Sequence, residues 1–280
     1  LIRTRGAESK EIDKISFDTK DEDQIVMVKR REEQPLSFIA CGGKLNKHDK
    51  LNTIAGVDEA GRGSVIGPLV VCAVAIDATK ISMLKEIGVR DSKLLSATVR
   101  DRLYDKIINI VDGYAICIAE PKVIDAYVNR NALNMLEAKM FAQVIAEVKP
   151  SLAYIDACDI NPARFTKVIA SSLSSYYKLQ FTTMLSASHK ADKRNVLVSA
   201  ASIIAKVTRD KAIERLKSIH GDFGSGYPSD AKTIRFINHM LSKGITLECI
   251  RYSWKPVKIL MSRVTSIQNQ NSFYYLPLYY

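Results

Sequence analysis

The sequence contains no Cys-x-x-Cys or Cys-x-x-His pair. Its five cysteines, Cys41, Cys72, Cys117, Cys158 and Cys249, are scattered, mostly inside apolar runs. That leaves no zinc site to expect and reads as reduced thiols of a cytoplasmic protein. No apolar run approaches the roughly 18 residues of a membrane span. No secretory leader is visible at the N-terminus, so no membrane partner is expected. No internal repeat or low-complexity stretch interrupts the part of the chain that reads as folded.

What is present is a basic chain of ordinary composition. Its 280 residues suffice for one large or two small domains with a sizeable core. Hydrophobic residues make up 47% and charged residues 25%, as in soluble globular proteins. The formal charge is +11, from 41 basic and 30 acidic residues. Residues 1–50 hold 11 of the basic and 10 of the acidic ones, so the excess falls in the remainder. A basic domain favours polyanions, chiefly nucleic acid or an anionic membrane surface. The alternative is a soluble protein that is merely basic.

Four regions are expected. Residues 1–52, with mixed charge and weak periodicity, read as a disordered extension. Residues 53–222 read as the main folded domain, 223–263 as a small helical subdomain, and 264–280 as a disordered tail. Strands are predicted at TIAGVD (53–58), PLVVCAVAID (68–77), GYAICIAE (113–120), SLAYID (151–156) and FTTMLSA (181–187). Leu133, Leu136, Met140, Phe141, Val144, Ile145 and Val148 form a helical stripe, with Asn131 a candidate cap. Further helices are predicted over 162–173, from about Asp192 to Ser218, and from Ser229 or Asp230 to Lys243 with Gly244 as its stop. The first two strands are too close for a helical crossover and should pair antiparallel. The later ones alternate with helices and should be parallel. The fold class is α/β, a mixed sheet with helices on its faces.

Two strands end in carboxylates, Asp58-Glu59 and Asp156, and Asp192 opens a helix straight after the last strand. Ligands of open α/β sheets bind at the carboxyl ends of the strands. Asp58 and Glu59 point opposite ways in an extended strand, so their convergence requires the chain to turn at Gly61. Gathered carboxylates repel unless a counter-ion joins them. Oxygen-only ligands suit Mg²⁺ or Mn²⁺, and two such ions suit phosphodiester hydrolysis. Each acid alone also reads as a cap. GRGSVIG (61–67) follows a strand, but Pro68 and another strand come next. The helix N-terminus that a dinucleotide fingerprint requires is missing. Gly61 and Gly63 then read as a close approach for a polyanion, with Arg62 near a phosphate, or as a tight connection.

The segments AGVDEAGRGSVIGPLVV (55–71), VRDSKLLS (89–96), AYIDACD (153–159), SASHKADKRNVLVSAASIIAKVTRD (186–210), GSGYPSD (224–230) and RYSWKP (251–256) together resemble type 2 ribonuclease H (ribonuclease HII) in its archaeal form. The resemblance covers about residues 53–262. It implies a ribonuclease H-like five-stranded mixed sheet flanked by helices, with a small C-terminal helical part. It implies that Asp58, Glu59, Asp156 and Asp192 bind two metal ions, Mg²⁺ or Mn²⁺. Gly61, Arg62, Gly63 and Tyr227 would sense the ribose 2′-hydroxyl, the group that separates RNA from DNA. Ser92, Lys93 and Lys206 would meet backbone phosphates. The implied partners are RNA–DNA hybrids and duplex DNA with embedded ribonucleotides, cut 5′ of the ribonucleotide to leave 3′-hydroxyl and 5′-phosphate ends. A monomer is expected. Some archaeal relatives end in a sliding-clamp motif. Gln268 and Tyr274-Tyr275 have its spacing, although Asn271 stands at its aliphatic position. Competing readings are a DNA-directed nuclease or integrase, and a non-catalytic nucleic-acid-binding module.

Overall fold

A computed structural model describes residues 39–42, 53–177 and 183–273. Six strands form one sheet: β1 (Ile39–Gly42), β2 (Thr53–Ala60), β3 (Leu69–Asp77), β4 (Gly113–Ala119), β5 (Leu152–Asp156) and β6 (Met184–Ser188), in the order β1-β4-β3-β2-β5-β6. Eight α-helices accompany them among the described residues: α1 (Ile81–Glu86), α2 (Ala97–Ile110), α3 (Pro121–Val128), α4 (Leu133–Val148), α5 (Pro162–Tyr177), α6 (Val196–His220), α7 (Ala231–Ser242) and α8 (Lys255–Phe273). Among the described residues no helix is long and apolar enough to cross a membrane.

β3 shows how the sheet is anchored. Leu69, Val71, Ala73 and Ala75 pack toward α4 and α5. Val70, Cys72, Val74 and Ile76 pack toward α1, α2 and α6. Each fully buried Leu, Val or Ile contributes about 2 kcal/mol, so this strand is held from both faces. β2 lies beside it, antiparallel, and parallel to β5 on its other side. β5 is in turn parallel to β6. The carboxyl ends of β2, β5 and β6 therefore meet at one edge, which is where the acids stand.

The mixed sheet flanked by helices is the expected class, with four differences. β1 is a sixth strand, formed by residues expected to be extension. It pairs antiparallel with β4, covering main-chain groups that an edge strand would leave open. β4 runs antiparallel to β3, where alternation with helices pointed to parallel pairing. The excursion through α1 and α2 returns the chain to the end it left, where the Asp112 N–H donates to the Ala75 carbonyl at 3.0 Å. Asn131 does not cap α4. It adopts a left-handed φ of 55°, and Ala132 holds the cap position without a side-chain bond. Finally, α8 continues through residue 264, where the tail was expected to begin, because no Gly or Pro interrupts residues 257–276.

The C-terminal helices rest on the loop after β2. Val65 and Ile66 from that loop, Ile213 of α6, Phe223, Ile237 and Val257 form a third apolar cluster. The loop is thus a buried joint between the sheet and the helical part.

Candidate active site

Asp58 on β2, Asp156 at the end of β5 and Asp192 in a short 3-10 turn (Ala191–Lys193) before α6 converge. Each presents a carboxylate oxygen within 4.8 Å of the others. The Ala191 N–H donates to Asp156 Oδ1 at 2.9 Å, which ties the 3-10 turn to β5. The Ser199 hydroxyl donates to the Asp192 carbonyl at 2.6 Å. Gly56 makes the approach of α6 possible: a Cβ there would stand 2.1 Å from the Leu197 carbonyl carbon.

Glu59 is a neighbour of this trio rather than a fourth member at that spacing. β2 stays extended through Ala60, so successive side chains alternate faces. Asp58 meets Ser202 of α6, and Glu59 faces the charge of Glu137 on α4. The charges of Asp58 and Asp156 still act on Glu59, so it borders the trio.

The electrostatics are those of crowded acids. Burial, then the charges of Asp156 and Asp192, push Asp58 up to about 7, against bonds from Ser202 and the Glu59 N–H. Burial, then Asp58, Glu137 and Asp156, raise Glu59 well above the usual carboxylate range. Burial and Asp192 raise Asp156. Glu59 Oε2 and Asp192 Oδ1 are buried with no hydrogen-bond partner. Cations stand at the rim. Lys93 Nζ lies 3.0 Å from Asp192 Oδ2, and Lys206, lowered by burial, donates to the Ser92 hydroxyl. Ser92 itself differs from the expected phosphate contact. It is fully buried, and its hydroxyl is shared with Ser202 at 2.9 Å as well as with Lys206.

The glycines of the loop have separate reasons. A Cβ at Gly61 would lie 2.6 Å from the Pro68 carbonyl and 2.7 Å from Arg209 Cδ. At Gly63 nothing lies within 4 Å, so its backbone is open to an outside molecule. Val65 and Ile66 both donate to the Gly226 carbonyl, at 2.8 and 3.1 Å. That places Tyr227, one residue on, beside the loop. The Arg209 guanidinium lies over the Tyr227 ring at 4.6 Å.

A ribonuclease HII family model matches residues 55–257, spanning the acids, the loop and Tyr227. The chain belongs to the ribonuclease HII family. It is 45% identical over 222 residues to a ribonuclease HII of Thermococcus sibiricus, covering 78% of this chain and 96% of that one. The crystal structure of the ribonuclease H2 from Pyrococcus horikoshii OT3 matches with a TM-score of 0.69 at 41% identity, covering 76% and 99%. The ribonuclease HII of Archaeoglobus fulgidus, solved in a complex with PCNA, matches with a TM-score of 0.66 at 38% identity, covering 74% and 96%. As a member of this family the chain is a nuclease, a hydrolase of RNA–DNA hybrids.

Several residues of this ribonuclease HII site escape a reading by motif. Arg251 is fully buried and donates to the carbonyls of Gly67 (2.9 Å) and Arg62 (3.1 Å), bracing both ends of the loop. Arg209 stacks on Tyr227, and Ser202 serves Asp58. Glu137 is fully buried and pairs with Arg62 at 2.7 Å. Its signal was an acid set within the apolar stripe of α4, between the buried Leu136 and Ala138 and one turn from Met140 and Phe141.

Proposed function

We propose that this ribonuclease HII cuts the RNA strand of RNA–DNA hybrids, and cuts 5′ of ribonucleotides embedded in duplex DNA, leaving 3′-hydroxyl and 5′-phosphate ends. The observation that carries the reading is the Asp58–Asp156–Asp192 trio beside an open glycine, Gly63. The trio fits hard divalent cations: its donors are all oxygens, Asp192 Oδ1 lacks a partner, and Asp58 is uncomfortable as a free anion. Asp58, Asp156 and Asp192, with Glu59 beside them, would hold two Mg²⁺ or Mn²⁺ ions. Bound there, such ions acidify water and offset phosphate charge.

The chain's own groups do the rest. Gly63 lets the sugar–phosphate backbone come close, and Lys93 and Lys206 offer cationic groups to phosphates. The Tyr227 phenol can bond a 2′-hydroxyl while its ring rests on Arg209. Arg62 and the loop amides complete the ribose reader. PCNA, the partner in the Archaeoglobus fulgidus complex, suggests a sliding clamp for this chain too, engaged by Gln268 and Tyr274-Tyr275. Tyr274 and Tyr275 lie outside the described residues.

The test is duplex DNA with one ribonucleotide, incubated with the full chain and Mg²⁺ or Mn²⁺. A single nick 5′ of the ribonucleotide is expected, with all-DNA duplex left intact and Asp192→Asn slower by at least about 10²-fold. An uncut ribonucleotide substrate overturns the reading. Equal cutting of all-DNA duplex replaces it with a DNA-directed nuclease.

A further inference from the structure

Arg62 is a long side chain on a loop whose next residue, Gly63, is open on its flank. What holds it still lies outside the loop, on α4. Arg62 Nε donates to Glu137 Oε1 at 2.7 Å, and Nη2 donates to Asn134 Oδ1 at 3.1 Å. The two acceptors are three residues apart, so they share one helix face. Glu137 cannot swing away. Its other oxygen accepts from the Cys158 thiol at 3.3 Å, and the residue is fully buried. Asn134 is held in turn by donating to Asp159 Oδ2 at 2.9 Å, and Asp159 accepts from Arg164 at 2.6 Å. Yet 40% of the Arg62 side chain remains exposed. One edge of the guanidinium is locked to Glu137 and Asn134, and the charge of Glu59 is near enough to act on it. A carboxylate buried at this depth is costly without a partner, so the pair operates as a unit.

We propose that Glu137, assisted by Asn134, is a positioning residue: it fixes the Arg62 guanidinium where the ribonucleotide is read. The discrimination assigned to the glycine loop then depends on a carboxylate of α4. This inference rests on the proposed part of Arg62 in recognising ribose.

A double-mutant cycle on duplex DNA with one embedded ribonucleotide tests it, with kcat and KM measured separately. Glu137→Ala is expected to lower kcat/KM about tenfold, mainly through KM, and Arg62→Ala at least as much. The double variant should be no worse than Arg62→Ala alone. Glu137→Gln keeps an acceptor at Oε1 and should recover most of the loss. Where melting curves show Glu137→Ala to be unfolded, Glu137→Gln carries the cycle, and its smaller loss must vanish in the Arg62→Ala background. Additive losses, or wild-type kcat/KM in both Glu137 variants, overturn the role of Glu137 while leaving the activity standing. A parent protein that leaves the ribonucleotide uncut overturns both.

Discussion

Asp58 is buried within reach of two other carboxylates and held up to about 7. A carboxylate raised in the folded state favours folding while protonated. Its contribution is therefore complete below the ordinary value of 3.8 and is lost as pH rises through about 7. Glu59 and Asp156 are raised as well and act in the same direction. Cations must displace these protons to bind. The metal-free protein is accordingly expected to lose thermal stability between about pH 4 and pH 7. The gain in Tm on adding Mg²⁺ should be larger at pH 8 than at pH 5.5, as read by calorimetry. An equal gain at both pH values would contradict the assignment of these acids as the cation site. Residue identity was the most legible level: three of the four expected carboxylates stand together. Glu59 was harder to place because its direction depends on where β2 stops, and the strand runs two residues beyond the point its hydrophobic pattern indicates.

At the scale of elements, the contact between β2 and α6 places the edge where the three aspartates converge. The small residues Ser199, Ala200, Ala201 and Ser202 are all buried there. The matching glycine on the strand is Gly56. Gly56→Ala would drive a methyl group into the main chain of α6 at Leu197. Backbone cannot rotate away as a side chain can, so the loss should be on the order of 3 kcal/mol, measured by denaturant unfolding. Because Asp192 precedes this helix, Mg²⁺ affinity should fall in the same variant. Unchanged stability would mean that the helix can slide along the strand. Strands and the α4 stripe were legible because burial leaves a periodic trace. The pairing of β4 was not, since strand direction depends on where two intervening helices return the chain.

Across the whole molecule, the C-terminal helices hold Tyr227 against the loop after β2, and the Gly226 carbonyl receives both loop amides. The ribose reader proposed above therefore spans two parts of the chain that lie more than 160 residues apart. Beyond it α8 runs to Phe273 and so includes Gln268, the first residue of the segment with the clamp-motif spacing. Deleting residues 268–280 is expected to abolish binding to a sliding clamp, measured by surface plasmon resonance, and to leave cleavage of a short substrate unchanged. Clamp binding that survives the deletion would remove that segment from the interface. The sequence by itself determined the family and the mixed sheet, and picked out the three aspartates that converge, because ordered motifs and strand-end acids are local and carry their own spacing. Only the tertiary structure decided that Ser92 is spent on Ser202 and Lys206, and that Arg62 is locked by Glu137. Those outcomes depend on side chains meeting across 75 to 114 positions of sequence, and burial rather than spacing sets who meets whom.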